Sequence, residues 1–487
     1  MKNTTLSDKR NQSLMMDFYE LTMSQVYFDN GTNEEVVFDL FYRRNPDNGG
    51  FAIFCGLDQI IDYVENFSID ADMIEYLRST GQFSDAFLEY LSTVRFTGDL
   101  WAVPEGTPVF PYEPLIRVKA PLIEAQLIET AMLLAINHQT LIATKARRIV
   151  QAANGKAVME FGARRAHNFD SSLYGARACY IAGVNGTATT QAGMEFGIPA
   201  LGTMAHSFIQ SFPSEYDAFM AYAKTYPESC TLLIDTYNTL HSGVKNAIQV
   251  AKDYLEPNGY RLKGVRIDSG DMAYLSKRVR KALDEAGMED CSIVVSNSLD
   301  EYLIESLLTR QGARIDSFGV GENMIVSKHT PVFGGVYKLS AIMDEDGSPI
   351  PKIKISENEE KITNPGMKKL YRIYDKNDQM AIADLMTLDH EILDPKKDLT
   401  IYHPMKKWKY KTIEGGTYLL RELMVPIFIH GKLVYQQPAL QEIREYCARE
   451  QETLWEEIKR FSNPQEYYVD LSEDLLDLKL DMISQMR

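Results

Sequence analysis

Four stretches of the chain differ in how apolar and polar positions alternate, and each predicts different elements. Val36 to Tyr42 (VVFDLFY) is a continuous β-prone run, with a turn at Gly49-Gly50 ahead of Phe51, and predicts a strand. Val103–Pro108 is turn-rich and leads into another. From about Pro121 to Ala153, Leu122, Ala125, Leu127, Ile128, Ala131, Leu134, Ala135 and Ile136 cover most of a helical surface, which predicts a long helix buried between layers. Between 156 and 342, short β-prone runs alternate with helical patterns such as Ser276–Ala286 and Asp300–Arg310. The runs are Ala157–Phe161, Cys179–Ile181, Gly202–His206, Thr231–Asp235, Gly264–Asp268, Ser292–Ser296, Ser317–Val320 and Val336–Ile342. Eight runs in βα alternation predict a (β/α)₈-type barrel. From Asp344 onward come hairpin signals (Asp346-Gly347, Pro365-Gly366), a charged helix near Leu440–Phe461 and an acidic tail over Asp470–Asp481, read as a solvated or capping helix.

The expected organisation is an α/β fold in three parts. Residues 1–120 form an α+β domain completed by 344–487, 121–155 a connecting buried helix, and 156–343 the barrel with the active site. With 487 residues the chain is too long for one small core. A net charge of −17 lowers nucleic-acid binding in rank, because phosphate backbones call for a basic excess. Five scattered cysteines without a CxxC pair argue against a disulfide framework or a zinc knuckle and fit a reducing compartment. Met1–Met16 is polar, and no apolar run reaches the roughly 20 residues that span a bilayer, so a cytoplasmic protein without membrane attachment is expected.

In such barrels the C-terminal ends of strands carry the chemistry. Glu160-Phe161-Gly162-Ala163-Arg164-Arg165 sets two guanidinium forks, suited to phosphate, beside a ring that can stack; a solvated turn over a core Phe is the other reading. Gly202-Thr203-Met204-Ala205-His206-Ser207 offers a histidine that can be a base, a metal ligand, a phosphate acceptor or simply structural. In Arg266-Ile267-Asp268-Ser269-Gly270-Asp271, alternation puts Arg266 and Asp268 on one face. The acids suit ribose hydroxyls and Mg²⁺, or else an internal ion pair and a helix cap. Ser296-Asn297 and Gly319-Val320-Gly321-Glu322 end two later runs, and Gly-x-Gly after a late strand fits a phosphate cradle. Together these ends read as one polyanion-binding mouth in an acidic protein.

At this point the chain resembles the nicotinate phosphoribosyltransferase family. The resemblance is carried by Asp17-Phe18-Tyr19-Glu20-Leu21-Thr22-Met23, Phe41-Tyr42-Arg43-Arg44-Asn45-Pro46, Ile142–Arg147, Glu160–Arg165, Gly202–Ser207, Val265–Asp271, Lys354-Ile355-Ser356 and Lys361–Gly366. It implies an irregular α/β barrel of the type II phosphoribosyltransferase kind, packed on a domain built from both chain ends, in homodimers with shared active sites. Nicotinate, phosphoribosyl pyrophosphate (PRPP) and ATP are the implied substrates, with Mg²⁺ as cofactor and nicotinate mononucleotide, an NAD precursor, as product. The implied roles are Tyr19 (from the neighbouring subunit) and Phe161 sandwiching the pyridine ring, Arg266 with Thr203 on the carboxylate, and Arg164 with Arg43 or Arg44 across the subunit interface on phosphate. Ser296, Asn297, Gly319, Gly321 and Glu322 complete the PRPP site. Asp268 and Asp271 serve ribose and Mg²⁺, with Asp271 as metal ligand, and His206 becomes phosphorylated from ATP.

Related nicotinamide enzymes carry an Asp in a Gly-Thr-Asp passage; Gly186-Thr187-Ala188 stands here, which favours the acid. Glu322 departs from the Thr frequent in the family, and a carboxylate near phosphate is costly unless paired. Two alternatives stay open at this stage: the nicotinamide enzyme or another transferase on this barrel, and a non-catalytic PRPP or pyridine-nucleotide sensor.

Overall fold

The computed structural model describes residues 11–485; the first ten residues of the polar Met1–Met16 stretch lie outside them. The chain divides into two compact units, one of residues up to Thr144 and from Val332 onward, the other Lys145–Pro331. No described helix is long and apolar enough to cross a membrane. All five cysteines are free and buried.

The first unit is built on the strand Glu35–Tyr42, buried along all but its first residue. Its run of Val, Phe and Leu suits a position with neighbours on both sides. It pairs antiparallel with Ile116–Pro121 on one edge and with Gly335–Met343 on the other, inside a seven-stranded sheet that also holds Pro349–Pro351, Asp99–Ala102, Val425–Ile429 and Lys432–Leu433. Asp39, inside this strand, is neutralised by Lys368 at 2.7 Å. The Asp346-Gly347 signal is the turn joining Gly335–Met343 to Pro349–Pro351. A second, six-stranded sheet contains Lys368–Asp375, Ala381–Leu388 and Val469–Leu471. The expected long helix is two, Leu122–Leu127 and Glu129–Ala152, interrupted at Ile128. Leu134 is 56% exposed, so the apolar wrap is incomplete there. The charged helix is Leu440–Glu452, and the acidic tail forms the helix Glu473–Gln485 with Leu475, Leu476 and Ile483 turned inward.

The second unit holds a parallel sheet of six strands, numbered here in chain order: β1 Ala157–Glu160, β2 Gly186–Thr187, β3 Thr231–Leu233, β4 Gly264–Ile267, β5 Ser292–Ser296 and β6 Ser317–Val320. Their order is β2-β1-β6-β5-β4-β3. Helices follow the strands, among them Phe169–Ile181, Met272–Glu285 and Glu301–Thr309. The expected irregular barrel is thus a curled, six-stranded sheet whose end strands β2 and β3 do not pair with each other, and three expected runs differ. Cys179–Ile181 closes the helix Phe169–Ile181, which Asn168 and Ser171 start with a reciprocal cap; three apolar residues carry no period of their own. Gly202–His206 forms no ladder: only Ala200, just before it, bridges Thr187, and His206 opens a short helix. Val336–Ile342 is the strand paired with Glu35–Tyr42 in the other unit. The two-residue β2 was too short to register as a run.

Candidate active site

The C-terminal ends of β1, β3, β4, β5 and β6 bring most of the second unit's polar candidates together. Arg266 leaves β4 between Leu233 of β3 and Val294 of β5. Its guanidinium donates to Thr203 Oγ1 at 2.6 Å and to the Met204 carbonyl at 3.2 Å. A side-chain fork thus holds the passage that no ladder holds. Its Nε is buried with no acceptor among the described residues. Burial pushes the Arg266 pKa down and Arg164 adds to this, while Asp268 and Asp235 oppose it. An unpartnered donor on a largely desolvated cation calls for an anionic acceptor.

Two residues on, Asp268 is fixed from two sides. Its N–H donates to Asp235 Oδ2 at 2.9 Å, and Ser269 Oγ donates to the same oxygen at 2.6 Å. Asp268 Oδ1 accepts from Ser296 at the end of β5. Asp268 Oδ2 stands 3.8 Å from His206 Nε2, and His206 Nδ1 is 3.0 Å from Thr236 Oγ1. The histidine is therefore oriented through Nδ1, while Nε2 lies beyond hydrogen-bond length of the carboxylate. Asp271 sits apart: its Oδ1 caps the helix Met272–Glu285 through Tyr274 N–H at 2.8 Å. The cap foreseen as one alternative for this acid is formed.

On the far side of the sheet the ends of β1 and β6 meet. A Cβ at Gly319 would come within 2.5 Å of the Phe161 ring, so the ring lies directly against that glycine's backbone. Arg164 and Arg165 follow on an exposed turn. Asn297 and Ser298, just past β5, have φ of 100° and 49°, a left-handed pair rare for side chains with a Cβ. Asn323 braces this turn through the carbonyls of Ser298 and Leu299. Glu322, beside Gly321, accepts from Lys328 at 2.6 Å, with Arg165 4.0 Å away. Paired in this way, its carboxylate does not stand as an uncompensated charge beside a phosphate loop.

Tyr19, Arg43 and Arg44 belong to the first unit. Tyr19 is half-exposed on the helix Phe18–Asn30, with its hydroxyl in reach of Glu129. Arg43 lies over the Phe41 ring at 5.6 Å, and the exposed Arg44 pairs with Glu360 at 2.7 Å. Glu160, Asp235, Thr236 and Lys328 were not among the expected site residues. Asp235 closes a β-prone run and was visible there; the others emerge only once the strands are paired.

The resemblance extends over the chain. Residues 14–137 match the nicotinate phosphoribosyltransferase N-terminal domain, 156–369 the nicotinate phosphoribosyltransferase family and 367–479 the nicotinate phosphoribosyltransferase C-terminal domain. The chain belongs to the nicotinate phosphoribosyltransferase family. It is 44% identical over 478 residues to the nicotinate phosphoribosyltransferase of Bacillus subtilis, covering 98% of this chain and 96% of that one. The crystal structure of human nicotinic acid phosphoribosyltransferase superposes with a TM-score of 0.84 at 28% identity, over 96% of this chain and 99% of that one. A nicotinate-nucleotide pyrophosphorylase from Pyrococcus furiosus shares the fold, with a TM-score of 0.69 at 22% identity over 92% and 97%. The Gly186-Thr187 pair is β2, and Ala188 follows it at the surface, its N–H donating to the Glu160 carbonyl at 2.8 Å.

Proposed function

We propose that this chain transfers the phosphoribosyl group of PRPP to nicotinate, releasing pyrophosphate, with ATP hydrolysis coupled through a phosphohistidine at His206. The observation that carries the reading is Arg266: a half-buried guanidinium, anchored by Thr203 and Met204, whose buried Nε is left for an acceptor. A pyridine carboxylate supplies that acceptor and the countercharge. Phe161, seated on Gly319, offers the face on which the ring lies, and Ala188 presents no carboxylate to repel the acid. The pyridine nitrogen is already a nucleophile, so the reaction needs a positioned ring, a held diphosphate and excluded water rather than a general base. Arg164, the Asn297–Ser298 turn, Gly319, Gly321 and the Glu322–Lys328 pair line the strand ends where phosphates bind in such barrels, and Arg43 or Arg44 of a second copy is assigned to the same phosphates.

His206 suits phosphoryl acceptance. In the tautomer whose Nδ1–H donates to Thr236, 3.0 Å away, the Nε2 lone pair is free to attack the γ-phosphorus of ATP; the bond to ADP breaks, and water later cleaves the N–P bond to release phosphate. Among the described residues no group of three or more His, Cys, Asp or Glu side chains is placed to cage a metal. Mg²⁺ commonly takes one or two carboxylates plus substrate phosphates. Asp235, with one buried oxygen unpartnered, Asp268 and Asp271 fit that pattern, and Mg²⁺ there would offset phosphate charge. We further read the enzyme as a homodimer in which Tyr19 of a second copy closes the ring site, working in the reducing cytoplasm where five buried thiols stay free.

The test is product formation from PRPP and Mg²⁺ with nicotinate or nicotinamide, each with and without ATP. Nicotinate turnover stimulated by ATP is expected. Turnover of nicotinamide instead would overturn the Arg266 assignment, and PRPP binding without turnover of either would point to a sensor.

A further inference from the structure

Glu160 is the last residue of β1 and is fully buried, and among the described residues no Lys, Arg or His pairs with it. Its Oε1 accepts the N–H of Gly162, and its Oε2 accepts the hydroxyl of Thr187 at 2.6 Å. That hydroxyl in turn accepts from Thr189 N–H at 2.9 Å. The backbone carbonyl of Glu160 receives Ala188 N–H, and Glu160 and Thr187 are register partners across β1 and β2. One residue therefore grips both sides: the turn immediately after Phe161, and the passage that ends in Ala188. Gly162 is wedged as well, since a Cβ there would lie 2.7 Å from Ile325 and 2.9 Å from Glu160 Oε1.

A carboxylate buried without a countercharge lowers stability unless its hydrogen bonds compensate, and burial pushes the Glu160 pKa up. An apolar or amide side chain would fill the space at lower cost if filling were all that was required. Only an ionised carboxylate presents two acceptors to two converging donors; a glutamine has one acceptor and turns an N–H₂ toward one of them.

We propose that Glu160 is a positioning residue, joining Phe161 and Gly186–Ala188 into one rigid wall that sets where the pyridine ring sits. The proposal rests on Phe161 being the ring-stacking residue. Removing either bond leaves the sheet intact but lets the ring wall move relative to Arg266, so nicotinate binding weakens while PRPP binding does not.

The experiment is steady-state kinetics on the full-length enzyme, with KM for nicotinate and for PRPP measured separately, on Glu160→Gln, Thr187→Val, Thr187→Ser and Phe161→Ala, alongside thermal melts. Glu160→Gln and Thr187→Val are expected to raise the nicotinate KM about tenfold, the size of one lost hydrogen bond. The PRPP KM should stay within about twofold, and Thr187→Ser, which keeps the hydroxyl, should restore the wild-type value. If Glu160→Gln does not fold, the Val/Ser pair at 187 decides alone. A nicotinate KM within about twofold of wild type in folded Thr187→Val, or equal rises in both KM values, overturns the proposal while Phe161→Ala still impairs nicotinate. If Phe161→Ala leaves the nicotinate KM unchanged, the stacking reading itself fails and the positioning role goes with it.

Discussion

Replacing Arg266 by Met keeps an unbranched chain of similar reach along β4 and removes the fork. Three donors are affected: the N–H bonded to Thr203, the one reaching the Met204 carbonyl, and the buried Nε left free. A hydrogen bond to a charged group contributes about 1.5–3 kcal/mol, and each 1.36 kcal/mol is a factor of ten. Loss of the carboxylate contact should therefore reduce kcat/KM for nicotinate roughly 10- to 150-fold. Loss of the two bonds that hold the 203–204 passage adds a separate stability loss of about 2–3 kcal/mol, since each hydrogen bond contributes roughly 1 kcal/mol net and somewhat more from a charged donor. Arg266→Lys should recover little, since an ammonium on a flexible stem cannot span a hydroxyl, a carbonyl and a ligand oxygen together. The assay is initial rate against nicotinate at saturating PRPP, repeated against PRPP at saturating nicotinate. A loss confined to the PRPP series, or full activity in the Lys variant, would refute the reasoning, because either outcome would mean the fork does not face the ring's carboxylate.

Other consequences follow from the same geometry. His206→Ala should abolish stimulation by ATP while slow ATP-independent transfer persists; stimulation equal to wild type would exclude the phosphohistidine. Tyr19→Ala and Arg266→Ala enzymes, each weak alone, should regain activity when mixed and allowed to exchange subunits, and exchange without recovery would count against shared sites. Glu20 is fully buried, accepts from Thr130, and lies near Glu129 and Asp17; burial chiefly, with those acids, pushes its pKa up to about 7 from 4.5. The folded state then holds a proton that the unfolded chain has released, so this contribution to stability is complete below about pH 4.5, falls as pH rises to about 7, and is flat above. Denaturant unfolding of wild type against Glu20→Gln should show the slope only in wild type, and identical profiles would remove Glu20 as its source.

Much of the barrel was legible because parallel strands are buried on both faces and read as short apolar runs. Thr231–Asp235, Gly264–Asp268, Ser292–Ser296 and Ser317–Val320 each contain a strand. Alternation also placed Arg266 and Asp268 on one face, and both are found among the converging strand ends. What could not be read depended on distant partners. Val336–Ile342 looks like any other strand, and its sheet is decided by pairing with Glu35–Tyr42. Gly202–His206 has strand-like composition but is held by a side chain from β4 rather than by a ladder. Glu160 passed as the residue before a candidate, since its significance lies in Thr187, which is adjacent only in the folded sheet.

The strand Glu35–Tyr42 has one neighbour from residues 116–121 and the other from 335–343. On a ribosome adding roughly 5–20 residues per second, the first neighbour emerges within seconds, whereas the second follows only after about 220 further residues, some 11 to 44 seconds later. Throughout that interval the nascent chain carries an unpaired edge on a strand made of Val, Phe and Leu, the kind of edge that recruits other chains. Chains stalled or truncated before residue 335 would keep it open indefinitely. Recombinant yield of this protein should accordingly depend on elongation speed and on chaperones that shield nascent β-edges, more than on the stability of the finished enzyme.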